Sequence, residues 1–517
     1  MATPVIDILL SPSSIIPAQQ AVLNRIHSDP GIPSAVNTSK SFWLKDPHPT
    51  IDKAQSSTLP EKADIAIIGS GITAVSILYH LLDLHSRQSH GEVPDFSIVM
   101  LEARSTSSGA TGRNGGHILP TGEEYSAMKG LLGKGAAVKL LKFRFAHVQT
   151  LLDLADRLGV AEASQARAVQ FVSVYHDEHE FHDACASLKE MKKDLPEETK
   201  SFKAYEAEAA KKEFGLAYAT GAITGPAGAL WPYKFTTAIL SDICTKYPKH
   251  FRLETGTSVQ TISIDSNTDA AYPHVLQTNR GPLRAKHIVH ATNGYVGHLV
   301  PGFRGRVFPL RGQMSAQAPG QTFGFQGTKH SWLINYGDKF DYLTQLPVAP
   351  PASHGEMMLG GGIAPASRQG LAEIGVADDS ALSADIDVHL SGALSAVFGH
   401  GNWGPTQGNS VKYMWTGIMG FSADGFPWVG KLPASLTHRE SACTSKVGGC
   451  EWAAVGYSGE GMVHAWLCGK ALAILIRGED GKSVEDLRSL EEWFPAQILI
   501  SDDRVKNSKL PITINKL

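Results

Sequence analysis

The sequence predicts a mixed α/β fold of more than one domain. Its 517 residues exceed what one ordinary core organises. A short apolar run, a glycine turn and an unbroken helical pattern follow one another between residues 65 and 85, as in a parallel sheet covered by helices. Strand signals dominate from 305 to 365, the mark of a second, antiparallel sheet.

Residues 1 to about 60 are rich in Pro, Ser and Asp and read as an extended arm, pinned to the body by Phe42 and Trp43. Ile65 to Ile68 form a buried strand, Gly69-Ser70-Gly71 turns the chain, and Ile72 to His85 continues as a helix. A polar loop over 86–95 leads to a second strand ending at Glu102. The run "SSGATGRNGGHIL", Ser107 to Leu119, then places four glycines between Gly109 and Gly116, too many for a helix. From about 125 to 215 the chain reads as largely helical, with solvated Lys/Glu faces. A further amphipathic helix lies in "YKFTTAILSDICTKY", and strands follow in "FRLETGTSVQTISIDS" and "HVLQTNRGPLRAKHIVHATNGY". The last third mixes glycine turns with a strand at Glu451 to Val455 and a helix from about Gly461 to Ile476.

Composition narrows the function. A net charge of −3 without basic blocks gives no reason to expect a nucleic-acid partner. No segment is apolar enough to span a membrane, and the N-terminus lacks the basic region of a secretory signal. Cys185, Cys244, Cys443, Cys450 and Cys468 form no metal-like cluster and read as reduced thiols of an intracellular protein. No metal site is expected. The C-terminal Asn515-Lys516-Leu517 differs by one residue from a peroxisomal Ser-Lys-Leu address, so the expected compartment is the cytoplasm, or the peroxisome if that tripeptide is read.

Gly69-Ser70-Gly71-Ile72-Thr73-Ala74 matches G-x-G-x-x-G/A in the strand–helix context of a Rossmann-type dinucleotide site. The first glycine permits the turn and the second lets a pyrophosphate approach, while the helix N-terminus offers N–H donors. Glu102 is the acidic partner that would accept from ribose hydroxyls. It lies 33 residues past Gly69, not the roughly 20 usual, and the polar loop accounts for the excess. A carboxylate there disfavours a 2′-phosphorylated nucleotide.

With the "GATGRNGGH" loop and "WTGIMGFSADGFPWVG" followed by "VGYSGEGM", these pieces resemble the D-amino-acid-oxidase-like FAD-dependent oxidoreductases over about residues 60 to 480. Within that group they are most similar to the γ-glutamylputrescine-oxidoreductase-like branch. The resemblance implies a glutathione-reductase-like, Rossmann-type FAD domain interleaved with an antiparallel-sheet substrate domain. The FAD domain would collect 60–125, 226–304 and 411–480. The substrate domain would take 126–225 and 305–410, leaving an N-terminal arm (1–59) and a C-terminal tail (481–517).

It also implies the cofactor contacts. Gly69, Gly71, Ile72 and Thr73 would meet the pyrophosphate, and Glu102, Ala103 and Arg104 the adenosine side. The loop Gly109, Ala110, Thr111, Gly112, Arg113, Asn114, Gly115, Gly116 and His117 would run past the ribityl chain to the flavin ring, its glycines required where FAD lies against the backbone. Val259 would meet the adenine edge, and Ala291, Thr292 and Asn293 the phosphates. Gly417, Ile418, Gly420, Tyr457, Gly459, Glu460, Gly461 and Met462 would line the flavin. Relatives that tether FAD through Cys or His place those residues where this chain has Tyr413 and Asn114, so non-covalent FAD is expected. A lysine that serves oxygen in sarcosine oxidase is matched by Met358, which leaves open oxygen or another electron acceptor.

The implied reaction is oxidation of a C–N bond of a small-molecule amine or amino acid. Hydride passes to flavin N5 and the imine is hydrolysed. His117 is read either as a proton-handling group or as a packed histidine. Arg311 is read as a carboxylate clamp or a sheet-edge ion pair, and Tyr342 and Trp415 as flavin-face walls or core aromatics. Two other functions stay open: a tailoring flavoprotein that dehydrogenates a larger secondary metabolite, and an inactive FAD-binding interaction protein. Oligomeric state is not legible.

Overall fold

A computed structural model describes residues 16–88, 96–265, 267–324, 329–337, 339–348, 354–363, 370–405, 410–439, 449–479 and 484–508. Cys443 and the C-terminal tripeptide lie outside these residues.

Two sheets carry the fold. The first has eight strands. At its centre Lys62–Ile68 pairs in parallel with Ile98–Leu101 on one side and Gly281–His290 on the other. Phe251–Glu254 and Glu451–Val455 extend it in parallel, and Trp428–Lys431 closes one edge antiparallel. Ile98–Leu101 is buried throughout, because a parallel sheet is covered on both faces. Alternation divides its side chains. Ile65, Ile67, Ile98 and Met100 pack with Val75, Leu78, Phe235 and Leu472 of three covering helices, Ile72–Gln88, Pro232–Lys246 and Ala465–Glu479. Ala66, Ile68, Val99 and Leu101 pack on the opposite face with Leu283, Ile288 and Val296. Gly469 lets the first and third of these helices touch: a Cβ there would lie 2.6 Å from the Ser76 side chain.

The second sheet has nine strands. Its path runs from Val411–Ser422 through Val307–Gln317, Met357–Gly361, Lys339–Gln345, His330–Tyr336, Arg167–Tyr175 and Gly221–Ala229 to His117–Ile118. All pairings are antiparallel except that between Arg167–Tyr175 and His330–Tyr336. Helix Ala384–Trp403 covers one face, placing Ile386, Leu390 and Phe398 on Trp332, Ile334 and Leu359.

Several expectations need correction. Arg167–Tyr175 interrupts the region read as helical; its run "FVSVY", rich in β-branched and aromatic residues, is buried without a break. The expected border at 225/226 falls inside Gly221–Ala229, and Val411–Ser422 sits in the antiparallel sheet. The arm is not wholly extended. Helix Ile16–His27 buries Val22, Leu23 and Ile26 on Phe308, Leu310 and Ile374, with Pro17 in its first turn, where a missing N–H costs nothing. Phe42 and Trp43 are buried, and Trp43 Nε1 donates to Asn114 O at 2.5 Å. Cys450 is disulfide-bonded, which overturns the reading of five reduced thiols; Cys185, Cys244 and Cys468 are free. No helix among the described residues is long and apolar enough to cross a membrane.

Candidate active site

A cavity of about 460 Å³ runs between the two sheets. One half is built on the parallel sheet. Its strand ends deliver Gly69, Glu102 and Ala291 to the same wall. Gly69 has φ +105°, and a Cβ there would stand 2.7 Å from Ala291 O, so the turn depends on glycine. Ile72 N donates to Thr111 Oγ1 at 3.0 Å, which joins the helix start to the glycine loop. Glu102 Oε2 accepts from Ser70 N (3.2 Å) and Ser70 Oγ (2.6 Å), and Oε1 accepts from Arg104 N (2.9 Å). Those bonds use three of roughly four lone-pair sites on the carboxylate. Thr73 Oγ1 donates to the Tyr457 hydroxyl at 3.0 Å, so these two side chains spend polar atoms on each other.

The glycine loop is held by an ion cluster that the sequence did not disclose. Asp379 binds Arg104 (Nη1–Oδ2 2.8 Å) and Arg113 (Nε–Oδ2 3.4 Å), with all three side chains under 10% exposed. Arg113 also donates to Ser108 O (2.9 Å), Thr416 O (2.8 Å) and Ser39 Oγ (3.1 Å). Most of its donors are therefore engaged within the protein. Burial pushes its guanidinium down to about 10, against the pull of Asp379, so it stays charged at neutral pH. Asn114 Oδ1 accepts from Gly116 N at 2.7 Å, which closes the turn.

The glycines divide into two kinds. A Cβ would lie 2.5 Å from Ser107 O at Gly112, 2.6 Å from the Tyr342 ring at Gly115 and 2.3 Å from Leu230 O at Gly116. The protein's own chain crowds these three, which corrects the expectation that a cofactor alone demands them. Gly417 and Gly420 are crowded likewise, by Arg113 and Asn293. Gly109, Gly459 and Gly461 line the cavity, and a Cβ on any of them would find no atom closer than 3.8 Å.

Val259, Thr292, Asn293, Ile418 and Met462 also line the cavity, as do Ala103 and Ala110. Glu460 does too, but its carboxylate is bound to Arg144. Gly112, Gly116, Arg311 and Trp415 are not on the wall. Arg311 Nε binds Glu373 Oε2 at 2.6 Å, the ion-pair reading of that arginine. Trp415 is fully buried and donates to Arg113 O at 2.9 Å, the core reading. Met358 is likewise buried, in an apolar cluster with Trp43, Met314 and Trp415. Tyr413 meets Phe42 edge-on at 5.3 Å.

The other half of the cavity belongs to the antiparallel sheet. Tyr342 lies on its wall, packed against Gly115 and Gly360. His117 lies there with neither ring nitrogen hydrogen-bonded. Burial, helped by Arg167, lowers its pKa to about 3, so the imidazole is neutral. Glu123, missed in the sequence, lines the same half with Leu333 and Asn335. Its Oε1 is buried without a partner. Burial raises the carboxyl to about 7, opposed by the hydroxyls of Ser173 and Tyr175 and assisted by Glu124 and Glu180. Its one sequence signal is position: a carboxylate pair directly after a glycine loop.

Comparisons with known proteins bear on the fold and the family. The model of DAO, the FAD dependent oxidoreductases, matches residues 64–475. Gamma-glutamylputrescine oxidoreductase of Escherichia coli (strain K12) is 21% identical over 421 residues, covering 80% of this chain and 84% of that protein. Among solved structures, glycine oxidase from Geobacillus kaustophilus superposes with a TM-score of 0.56 at 17% identity, covering 86% of this chain and 99% of that one. L-proline dehydrogenase from P. horikoshii gives 0.57 at 20% identity, with 84% and 98% covered. L-amino acid deaminase from Proteus myxofaciens gives 0.58 at 12% identity, with 88% and 96% covered. At such identities the structural likenesses carry the fold. The family match spans most of the chain and includes the strand–turn–helix, the glycine loop and the last glycine cluster, and on it this chain belongs to the DAO family of FAD-dependent oxidoreductases.

Proposed function

We propose that this enzyme oxidises a C–N bond of an amine or amino acid, with FAD held non-covalently along the cavity. One observation carries the reading: a single cavity joins Glu102 and the Gly69–Thr73 turn to His117, Tyr342 and Glu123 on the other sheet. A cofactor laid along it would reach from the nucleotide end to a pocket fit for a small molecule.

The residues present fit such a group. Gly109, Gly459 and Gly461 leave wall space where side chains would intrude. Thr292 Oγ1 is a buried hydroxyl on the wall without a partner. Arg104 and Arg113 face two carboxylates, Asp379 and Glu102, so the charges on this wall balance and the helix start after the Gly69 turn is what suits a pyrophosphate. Glu102 has about one lone-pair site left, enough for one ribose hydroxyl. FAD, when bound, supplies the acceptor for a hydride.

His117, neutral and unpaired, orients a polar group of the substrate without adding charge. Tyr342 walls the pocket with its ring. The buried setting excludes water from the reacting carbon. The test is the absorbance spectrum of the purified protein before and after anaerobic addition of pooled amines and amino acids. Flavin bands that bleach support C–N oxidation. Bands that persist with every pool would remove that reading and leave the cofactor.

A further inference from the structure

We propose that Glu123 anchors a positively charged alkylammonium group of the substrate, so that the site selects amines over amino acids held by their carboxylate. This rests on the amine-oxidation reading above and names its substrate class.

Three observations support it. The Glu123 Oε1 atom is buried on the cavity wall without a hydrogen-bond partner. A buried carboxylate oxygen without a partner is costly, and a cationic ligand would complete it. Asn335, on the same wall, donates Nδ2 to Ser173 Oγ at 3.1 Å and to Val174 O at 3.1 Å, which ties the two strands together there. The hydroxyls of Ser173 and Tyr175 bear on the same carboxyl and favour its charged form.

Secondly, the arginines a carboxylate clamp would need are taken. Among the described residues, the two arginines on the wall, Arg104 and Arg113, share Asp379. Arg311 is bound to Glu373. Arg167, near His117, gives Nη1 and Nη2 to the carbonyls of Gln165 (2.9 Å) and Gln345 (2.5 Å).

Thirdly, two carboxylates, Glu123 and Glu124, line this end, with Lys339 on the same wall. Tyr342 and Phe340 add aromatic faces, which attract cations.

The test is anaerobic spectral titration of the holoenzyme, wild type and Glu123→Gln, with a four-carbon diamine, the matching monoamine and the matching α-amino acid. The amines are expected to perturb the flavin bands at lower concentration than the amino acid. Glu123→Gln is expected to weaken amine binding roughly 10- to 100-fold, with amino-acid binding unchanged. A diamine that binds more tightly than the monoamine places its distal ammonium at Glu123; equal affinities place the reacting one there. Amino-acid binding as tight as amine binding, or amine affinity in Glu123→Gln within twofold of wild type, overturns the proposal. If Glu123→Gln does not fold, Glu123→Asp and the wild-type comparison decide. Band shifts without bleaching would sink C–N oxidation and keep the ammonium site; bleaching by the amino acid alone would do the reverse.

Discussion

Asp379 offers the sharpest test of how the cavity is held. Its carboxylate is the shared counter-charge of Arg104 and Arg113, and the three side chains are 4%, 7% and 2% exposed. Asp379→Asn keeps the shape and removes the charge. Two buried guanidiniums then keep only the weaker pull of Glu102 on Arg104, a loss of about 3–5 kcal/mol. The backbone bonds of Ser39 N (2.9 Å) and Thr416 Oγ1 (3.1 Å) to Asp379 O survive, so the effect isolates the charge. At about 2.1 cal/mol/K per residue, a chain of 517 residues has an unfolding entropy near 1 kcal/mol/K. Tm is therefore expected to fall by about 3–5 °C, read by calorimetry at neutral pH. Adding Arg113→Met to Asp379→Asn removes one stranded charge, so the double variant should lose less than the sum of the two singles. A Tm for Asp379→Asn within 1 °C of wild type, or strict additivity of the pair, refutes the argument.

Four further outcomes are expected. Glu102→Ala loses a charged acceptor at the nucleotide end, so FAD is retained roughly 10- to 100-fold less tightly; a full flavin complement after extensive dilution would remove Glu102 from that role. Tyr413 and Asn114 offer no tether, so flavin should enter the supernatant on acid precipitation, and flavin in the pellet would contradict this. Met358, apolar and buried, gives oxygen no cation, so reduced enzyme should reoxidise slowly in air; stopped-flow reoxidation as fast as a committed oxidase's would count against it. Folding raises the Glu123 carboxyl from 4.5 to about 7, so the folded state binds its proton more tightly and stability falls as pH rises through that window, by up to about 3 kcal/mol. Glu123→Gln should thus melt above wild type at pH 8 and close to it at pH 5, and an equal gap at both pH values would refute the assignment.

What was legible in the sequence was local. Ile65–Ile68, the Gly69 turn and the helix after it announce themselves because strand burial and glycine geometry act within a few residues. Glu102 followed from the same unit. Pairings that join distant segments were not legible. Asp379 lies 275 residues from Arg104, and nothing near either residue names the other. Arg311 looked available because Glu373, which binds it, is 62 residues away. The glycine loop misled in a different way. Its composition shows that side chains are excluded, not what excludes them, and Ser107, Tyr342 and Leu230 do so at Gly112, Gly115 and Gly116. Helix Ile16–His27 was readable in principle, since Val22, Leu23 and Ile26 share one face. The prolines around it obscured that pattern.

The two ends of the cavity differ in what they offer a ligand. At the nucleotide end Arg104 and Arg113 are balanced by Asp379 and Glu102, and the helix start after the Gly69 turn is left to meet phosphates. At the other end Glu123 presents an unpartnered Oε1, and His117 on that side is neutral because burial keeps it so. A cationic amine finds its counter-charge at Glu123, and in a buried cavity that attraction is weakly screened by salt. Weak salt dependence of amine binding, with strong dependence on the charge at residue 123, is what this division requires.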